Sequence, residues 1–195
     1  MGRDSARYSL VAMIFHWVIA ILLLWNIWLG WQMEDLHGPA KAALMGLHKS
    51  IGMTVLVLSV LRLAWRLVTP QPKFAVHLKP WERWLAHAVH WSFYVVMIGL
   101  PLTGWAMVSY SNRWKGLRPF DLFDWPRFPG AAGVAPDKVH AMHETLEFIH
   151  ADVLKLIAYA LIILHVLGAL KHQFIDKDAE MNRMLPFGRE PGRRA

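Results

Sequence analysis

"FIHADVLKLIAYALIILHVLGALKH", from Phe148 to His172, is apolar and long enough for a membrane crossing, yet it carries His150, His165 and His172. An imidazole placed in hydrocarbon without a partner is costly. Each of the three therefore needs a partner, and the search for those partners organises the rest of the chain.

The 195 residues are 55% hydrophobic and 18% charged, far from the average soluble domain, and read as a membrane protein. There is no cysteine, which excludes disulfides, thiolate metal sites, iron–sulfur clusters and haem attached through C-x-x-C-H. Any metal must be held by other side chains. Eleven histidines exceed the needs of packing, and eleven tryptophans suit the aromatic belts at a bilayer surface. A net charge of +7 would fit a nucleic-acid partner only as a basic face on a soluble fold. Here the charges lie between apolar runs, so they read as membrane topology, with lipid and not nucleic acid as the surrounding partner.

Four apolar runs follow along the chain, at about 10–31, 44–67, 84–108 and 149–174. Each is long enough at ~1.5 Å per residue to cross a hydrocarbon core of ~30 Å. The expectation is an all-α integral membrane four-helix bundle, a single domain over residues 1–195. The first run lacks the flanks of a cleaved signal and reads as a retained helix. Pro101 in the third must kink its helix or end the regular bonding. Arg3 and Arg7 precede the first run, Lys171, Lys177 and Arg183 flank the fourth, and Arg62, Arg66, Lys73, Lys79 and Arg83 lie around the second connection. Those regions should be cytoplasmic, which puts both termini inside. The long third connection, from about Ser109 to Glu147, holds five basic and five acidic residues and is forced outward by the four crossings, where its Trp, Phe and Pro content reads as a cap.

Depth sorts the histidines. His16 and His165 fall at matching depths toward the cytoplasmic side, and His48 and His150 at matching depths toward the outside. Within the fourth run the two members are fifteen residues apart, roughly 22 Å of helical rise, so one helix can offer a ligand at each of two levels. Haem wants this arrangement, since it is an apolar macrocycle whose iron takes a neutral imidazole from each side. Zinc wants three or four ligands at one depth. The pairs His16–His165 and His48–His150 are thus the expected axial ligands of two haem b groups between the helices. His143 is the runner-up for His150 on the same helical face, but its ~33 Å of rise from His165 exceeds the hydrocarbon thickness. His87, His90 and His172 gather at the cytoplasmic surface as candidates for delivering protons to a quinone. His37 and His77 read as solvated, and Gly46, Gly52, Gly99, Gly104 and Gly168 as close-packing positions, where a missing side chain admits another helix or a haem edge.

The segments "IFHWVIAILLLWNIWLG", "GLHKSIG", "LAHAVHWSFYVVMIGLPLTGW" and "LHVLGALKHQFIDKDAEMNRMLP" together resemble the bacterial cytochrome b561 family. That family is itself similar to the cytochrome b subunits of respiratory formate dehydrogenase and nickel–iron hydrogenase. The resemblance implies a multi-pass protein of the bacterial inner membrane with two b-type haems, carrying electrons between a periplasmic donor and the quinone pool. One branch of the family oxidises superoxide and reduces ubiquinone. Carried over to this chain, the inner haem falls on His16 and His165, and the outer on His48 and a histidine near the start of the fourth span. The family often places that last ligand in a "HETL"-like segment about fourteen residues before its partner. Here "HETL" begins at His143, twenty-two residues before His165, while His150 lies at fifteen.

Two functions lead the competition, ahead of a third, a transporter or channel with polar histidines and no haem. One is a quinone-linked oxidoreductase, with Arg113, Lys115, Arg118, Arg127 and Lys138 available to draw an anion to the outer mouth. The other is a membrane anchor and electron relay for a separate periplasmic redox partner, docking on "RPFDLFDWPRFPG".

Overall fold

The computed structural model describes residues 7–72, 79–111, 114–177 and 181–185. Helix α1 (Leu10–Glu34) starts behind Ser9, whose hydroxyl accepts a hydrogen bond from the Ala12 amide at 3.3 Å, satisfying one of the orphan donors of the first turn. A three-residue turn leads into α2 (Gly38–Val68). Gly38 takes φ +65° there, a backbone conformation that residues with a Cβ adopt only under strain. Helix α3 (Pro80–Ser109) opens on a proline, with the Glu82 carboxylate accepting from the Lys79 amide at 2.9 Å. It continues through Pro101 to Ser109. Near that missing donor the Thr103 hydroxyl bonds back to the Gly99 and Leu100 carbonyls, at 2.9 and 2.8 Å.

The last rod is built in pieces. Helix α4 (Pro136–Phe148) passes into a π-helical turn (Ile149–Leu154), then α5 (Lys155–Leu170), then a second π-helical turn (Lys171–Ile175). The rod is 40 residues long, so its helix begins thirteen residues before the expected start at Ile149. The extra length is polar, with Pro136 in its first positions and Asp137 in its first turn. An apolar-run criterion cannot see such a start. All four rods are long and apolar enough to cross a bilayer, and no strand occurs among the described residues.

The interior is narrow. Ile19 and Leu29 of α1, Ile51 and Val55 of α2, and Tyr94 and Met97 of α3 form one buried cluster. Met53 and Leu56 form another with Leu117 from the third connection. Leu10, Ile14, Ile21, Leu24, Trp25 and Trp28 of α1 stay exposed, as expected of a surface that lipid covers. The first and last described segments meet: the Tyr8 amide donates to the Arg183 carbonyl at 3.3 Å, Trp17 Nε1 to the Met184 carbonyl at 2.9 Å, and the Arg7 guanidinium to the Leu185 carbonyl. This is the terminal end of the bundle; the opposite end is called distal below.

The third connection is fastened over the distal parts of α2 and α3. The Phe120 amide donates to Ser50 Oγ at 2.9 Å, the Phe128 amide to Ser109 Oγ at 3.0 Å, and Trp105 Nε1 to the Pro126 carbonyl at 2.9 Å. Phe120 and Asp121 both take positive φ, 51° and 57°, a left-handed pair that is costly without glycine. The Ser50 bond helps to hold it.

Candidate functional site

The structure brings the depth-matched histidines together. His48 from α2 and His150 from the first π-helical turn stand with ring centroids 6.2 Å apart in the distal half. His16 from α1 and His165 from α5 stand 6.1 Å apart in the terminal half. A metal bonded to two imidazole nitrogens at about 2.0 Å each, the usual metal–imidazole length, sets the ring centroids roughly 6 Å apart. Both pairs have that spacing. Among the described residues no three of His, Asp and Glu are grouped so that they could hold a metal ion, and what each level offers is one imidazole from each side.

What stands behind the rings decides their tautomers. His48 Nδ1 lies 3.1 Å from the Asn26 carbonyl, and His150 Nδ1 lies 2.8 Å from the Leu100 carbonyl. A carbonyl only accepts, so each Nδ1 carries the proton and donates, which leaves Nε2 bare and fixes the ring. Thr103 Oγ1 adds a contact to His150 Nδ1 at 3.2 Å. The closest fit is at Gly104, where a Cβ would lie 3.0 Å from His150 Cε1 and 3.3 Å from its Nδ1. Gly52 and Gly99 face ordinary contacts, at 3.6 Å to Asn26 and 3.7 Å to Leu154, while a Cβ at Gly46 or Gly168 would meet nothing within 4 Å. The close fit to another helix is therefore strongest at Gly104.

A cavity of about 380 Å³ opens beside the distal pair, with Asn26, Pro101, Gly104 and Trp105 in its wall, within the range of small-molecule pockets. Lys41, Lys49 and Lys155 line it, together with Glu34 and Glu147. The cations expected at this mouth lie elsewhere. Arg118 pairs with Asp124 at 3.2 Å, Arg127 donates to the Ser109 carbonyl at 2.9 Å, neither Lys115 nor Lys138 borders the cavity, and Arg113 lies outside the described residues. His143, the other candidate for the distal position, bonds through Nδ1 to the Met107 carbonyl at 2.9 Å and lies 3.9 Å from the Glu147 carboxylate. His150 is the residue that faces His48.

The terminal pair has a different back wall. Arg62 lies 3.2 Å from His16 Nδ1, a position where the distal rings meet carbonyls. The His90 ring lies 5.7 Å and the Phe93 ring 5.4 Å from His165. Farther toward the end, Lys171 bonds both Glu82, at 3.0 Å, and Asp176, at 2.6 Å, and His172 Nδ1 lies 3.0 Å from Asp176. The Lys171 ammonium bonded to it, with His172 beside it, holds the Asp176 carboxyl below the usual range. His87 lies one turn before His90 on α3. His77 lies outside the described residues.

Imidazoles are paired at two levels of the bundle, and the profile of prokaryotic cytochrome b561 matches residues 7–187. The chain belongs to the prokaryotic cytochrome b561 family. It is 30% identical over 186 residues to "Cytochrome b561 homolog 2" of Escherichia coli (strain K12), covering 92% of this chain and 91% of that one. It is 28% identical over 184 residues to "Probable superoxide oxidase CybB" of Yersinia pestis, covering 92% and 96%, and 26% identical to "Cytochrome b561 homolog 1" of E. coli (strain K12), covering 92% and 97%. Membership makes this b561 chain a multi-pass membrane cytochrome b with a part in electron transfer, and it implies b-type haem.

Several site residues were not singled out by sequence reasoning. Asn26 and Leu100 act through backbone carbonyls, which no residue type announces. Lys41, Lys49 and Lys155 had a usable signal, since Lys49 adjoins His48 and Lys155 lies five residues after His150. Arg62 counted only as a topological charge, although it sits within an apolar run.

Proposed function

We propose that this chain holds two haem b groups, on His48–His150 near the periplasmic surface and on His16–His165 near the cytoplasmic surface of a bacterial inner membrane. It carries electrons from a periplasmic donor to the quinone pool, with superoxide as donor and ubiquinone as acceptor. The observation that carries this reading is the pair of equal imidazole separations, 6.2 and 6.1 Å, at two levels of the same bundle. The positions of Lys and Arg along the chain support the orientation, with the terminal end inside.

When bound, the haem irons supply reversible one-electron exchange. The chain's residues do the rest. One imidazole from each side, His48 with His150 and His16 with His165, would hold each haem, which would favour electron transfer over oxygen chemistry. The Asn26 and Leu100 carbonyls accept from Nδ1 of His48 and His150 and thereby keep both Nε2 atoms free to ligate. Lys41 and Lys49 at the cavity, with Lys155 beside them paired to Glu34 at 3.6 Å, raise the local concentration of an anion such as superoxide. The name of the Yersinia relative, a probable superoxide oxidase, points to the same donor. At the terminal end, His90 beside His165, together with His87 and His172, supplies protons to a quinone, and the Lys171–Asp176–His172 contacts tie that region to the surface.

The test uses the purified chain. It should show a b-type spectrum with two haems per protein, rapid haem reduction by superoxide, and reduction of added ubiquinone. Colourless protein would remove the reading. A second reading, a relay for a separate periplasmic redox partner, draws on the exposed Phe120, Leu122 and Phe123 of the third connection. Haem that superoxide leaves oxidised, but that a co-purified protein reduces, would favour that relay.

A further inference from the structure

Arg62 and Arg66 lie one helical turn apart in α2, within the membrane-spanning segment. Arg62 reaches the terminal histidine pair, with a guanidinium nitrogen 3.2 Å from His16 Nδ1, and its guanidinium carbon lies 5.8 Å from the Tyr94 ring centre. Arg66 stacks on the same Tyr94 ring at 5.9 Å and on Trp91 at 5.8 Å. Neither guanidinium has a carboxylate partner among the described residues. Glu82 and Asp176, the described carboxylates bonded at this end, are both taken by Lys171.

Such a pair is expensive. Like charges four residues apart on a helix repel, and a cation in a membrane segment needs an anion or water to offset its desolvation. Aromatic faces relieve part of that cost, and a neutral imidazole does not supply the missing charge. Two planar forks converging on one tyrosine, beside an imidazole read as a haem ligand, match a ligand that brings two carboxylates together. Haem b carries two propionate carboxylates on one edge, and guanidinium binds carboxylate in a fork-to-fork geometry that a lysine cannot copy.

We propose that Arg62 and Arg66 form the carboxylate-binding site for the propionates of the haem held on His16 and His165. The inference rests on the haem pairing proposed above and adds the residues that orient the macrocycle in the terminal half. A lipid phosphate presents similar oxyanion chemistry. The reach of Arg62 to His16, at the level of the imidazole pair, favours a group bound between the helices over a headgroup at their ends.

The experiment takes the full chain, prepared without haem in detergent, and titrates it separately with haem b and with its dimethyl ester, in which both propionates are capped. His16→Ala identifies the terminal site in the binding curves. In the wild type that site should prefer the free acid by at least ~10-fold, the scale of charge-assisted hydrogen bonds. Arg62→Gln with Arg66→Gln should abolish the preference at the terminal site, while the distal site keeps its own affinities and so reports that the bundle is folded. Arg62→Lys, which keeps the charge and loses the fork, should retain only part of it. Equal terminal affinities for acid and diester in the wild type would overturn the proposal, as would a preference that survives loss of both arginines. If that result came with co-purified phosphorus falling in the double variant, lipid phosphate would be the occupant instead. Failure of both porphyrins to bind at either site would sink the haem pairing itself, and with it this proposal.

Discussion

Gly104→Ala is the substitution whose effect can be worked most directly from the geometry. The added methyl would lie 3.0 Å from His150 Cε1 and 3.3 Å from Nδ1, against roughly 3.5–4.0 Å for comfortable carbon contact. The ring has to retreat by about half an ångström. It is not free to do so, because Nδ1 is held at 2.8 Å by the Leu100 carbonyl, and the movement strains that bond and re-aims Nε2 away from His48. Overpacking of this kind costs about 1–3 kcal/mol. Replacing glycine by alanine inside a helix returns about 1 kcal/mol to the fold, so global stability should fall by no more than about 2 kcal/mol while the strain is concentrated at the site. At about 1.4 kcal/mol per tenfold, distal haem affinity should drop roughly 5- to 150-fold. Haem per protein and a redox titration resolving two components are the measurements. Gly46→Ala is the control, since its methyl meets nothing within 4 Å, and it should keep both haems. A Gly104→Ala protein with two haems and unchanged distal affinity would refute the reasoning.

Other outcomes follow from the same geometry. His16→Ala or His165→Ala should remove one haem and halve the b-type absorbance without unfolding the bundle; full haem content in either variant would break the pairing. His150→Ala should lose the distal haem while His143→Ala keeps it, since His143 is turned to the Met107 carbonyl; the reverse pattern in haem counts would exchange their roles. Replacing Lys41, Lys49 and Lys155 together by alanine should slow haem reduction by superoxide and flatten its dependence on ionic strength in stopped-flow measurements, whereas an unaltered salt profile would locate the attraction elsewhere. Glutamine at His87, His90 and His172 should weaken binding of a quinone analogue, and an unchanged affinity would remove all three from the quinone site.

Much of this architecture was legible because helical rise is fixed. Once four apolar runs are recognised, residue number converts to depth, and His16 with His165 and His48 with His150 pair without any knowledge of side-chain direction. That conversion fails where a helix is polar, which is why the rod starting at Pro136 extends so far beyond its apolar run. Depth also says nothing of what stands behind a ring. The Asn26 and Leu100 carbonyls are visible only once the backbone is in place, and no pattern separates Gly104, pressed against His150, from Gly46, which faces open space. Charges in apolar runs were read only for orientation, so Arg62 and the lysines of the distal cavity went unassigned.

The short turn between Glu34 and Gly38 makes α1 and α2 a helical hairpin, and each imidazole pair takes one ring from that hairpin and the other from the rod that ends the bundle. Neither pair exists until that rod has entered the bilayer. A ribosome-bound chain halted after α3 would present His16 and His48 with no opposing imidazole, so cofactor loading becomes a late checkpoint in biogenesis. A macrocycle gripped at both levels would then rivet the earliest-inserted segment to the latest.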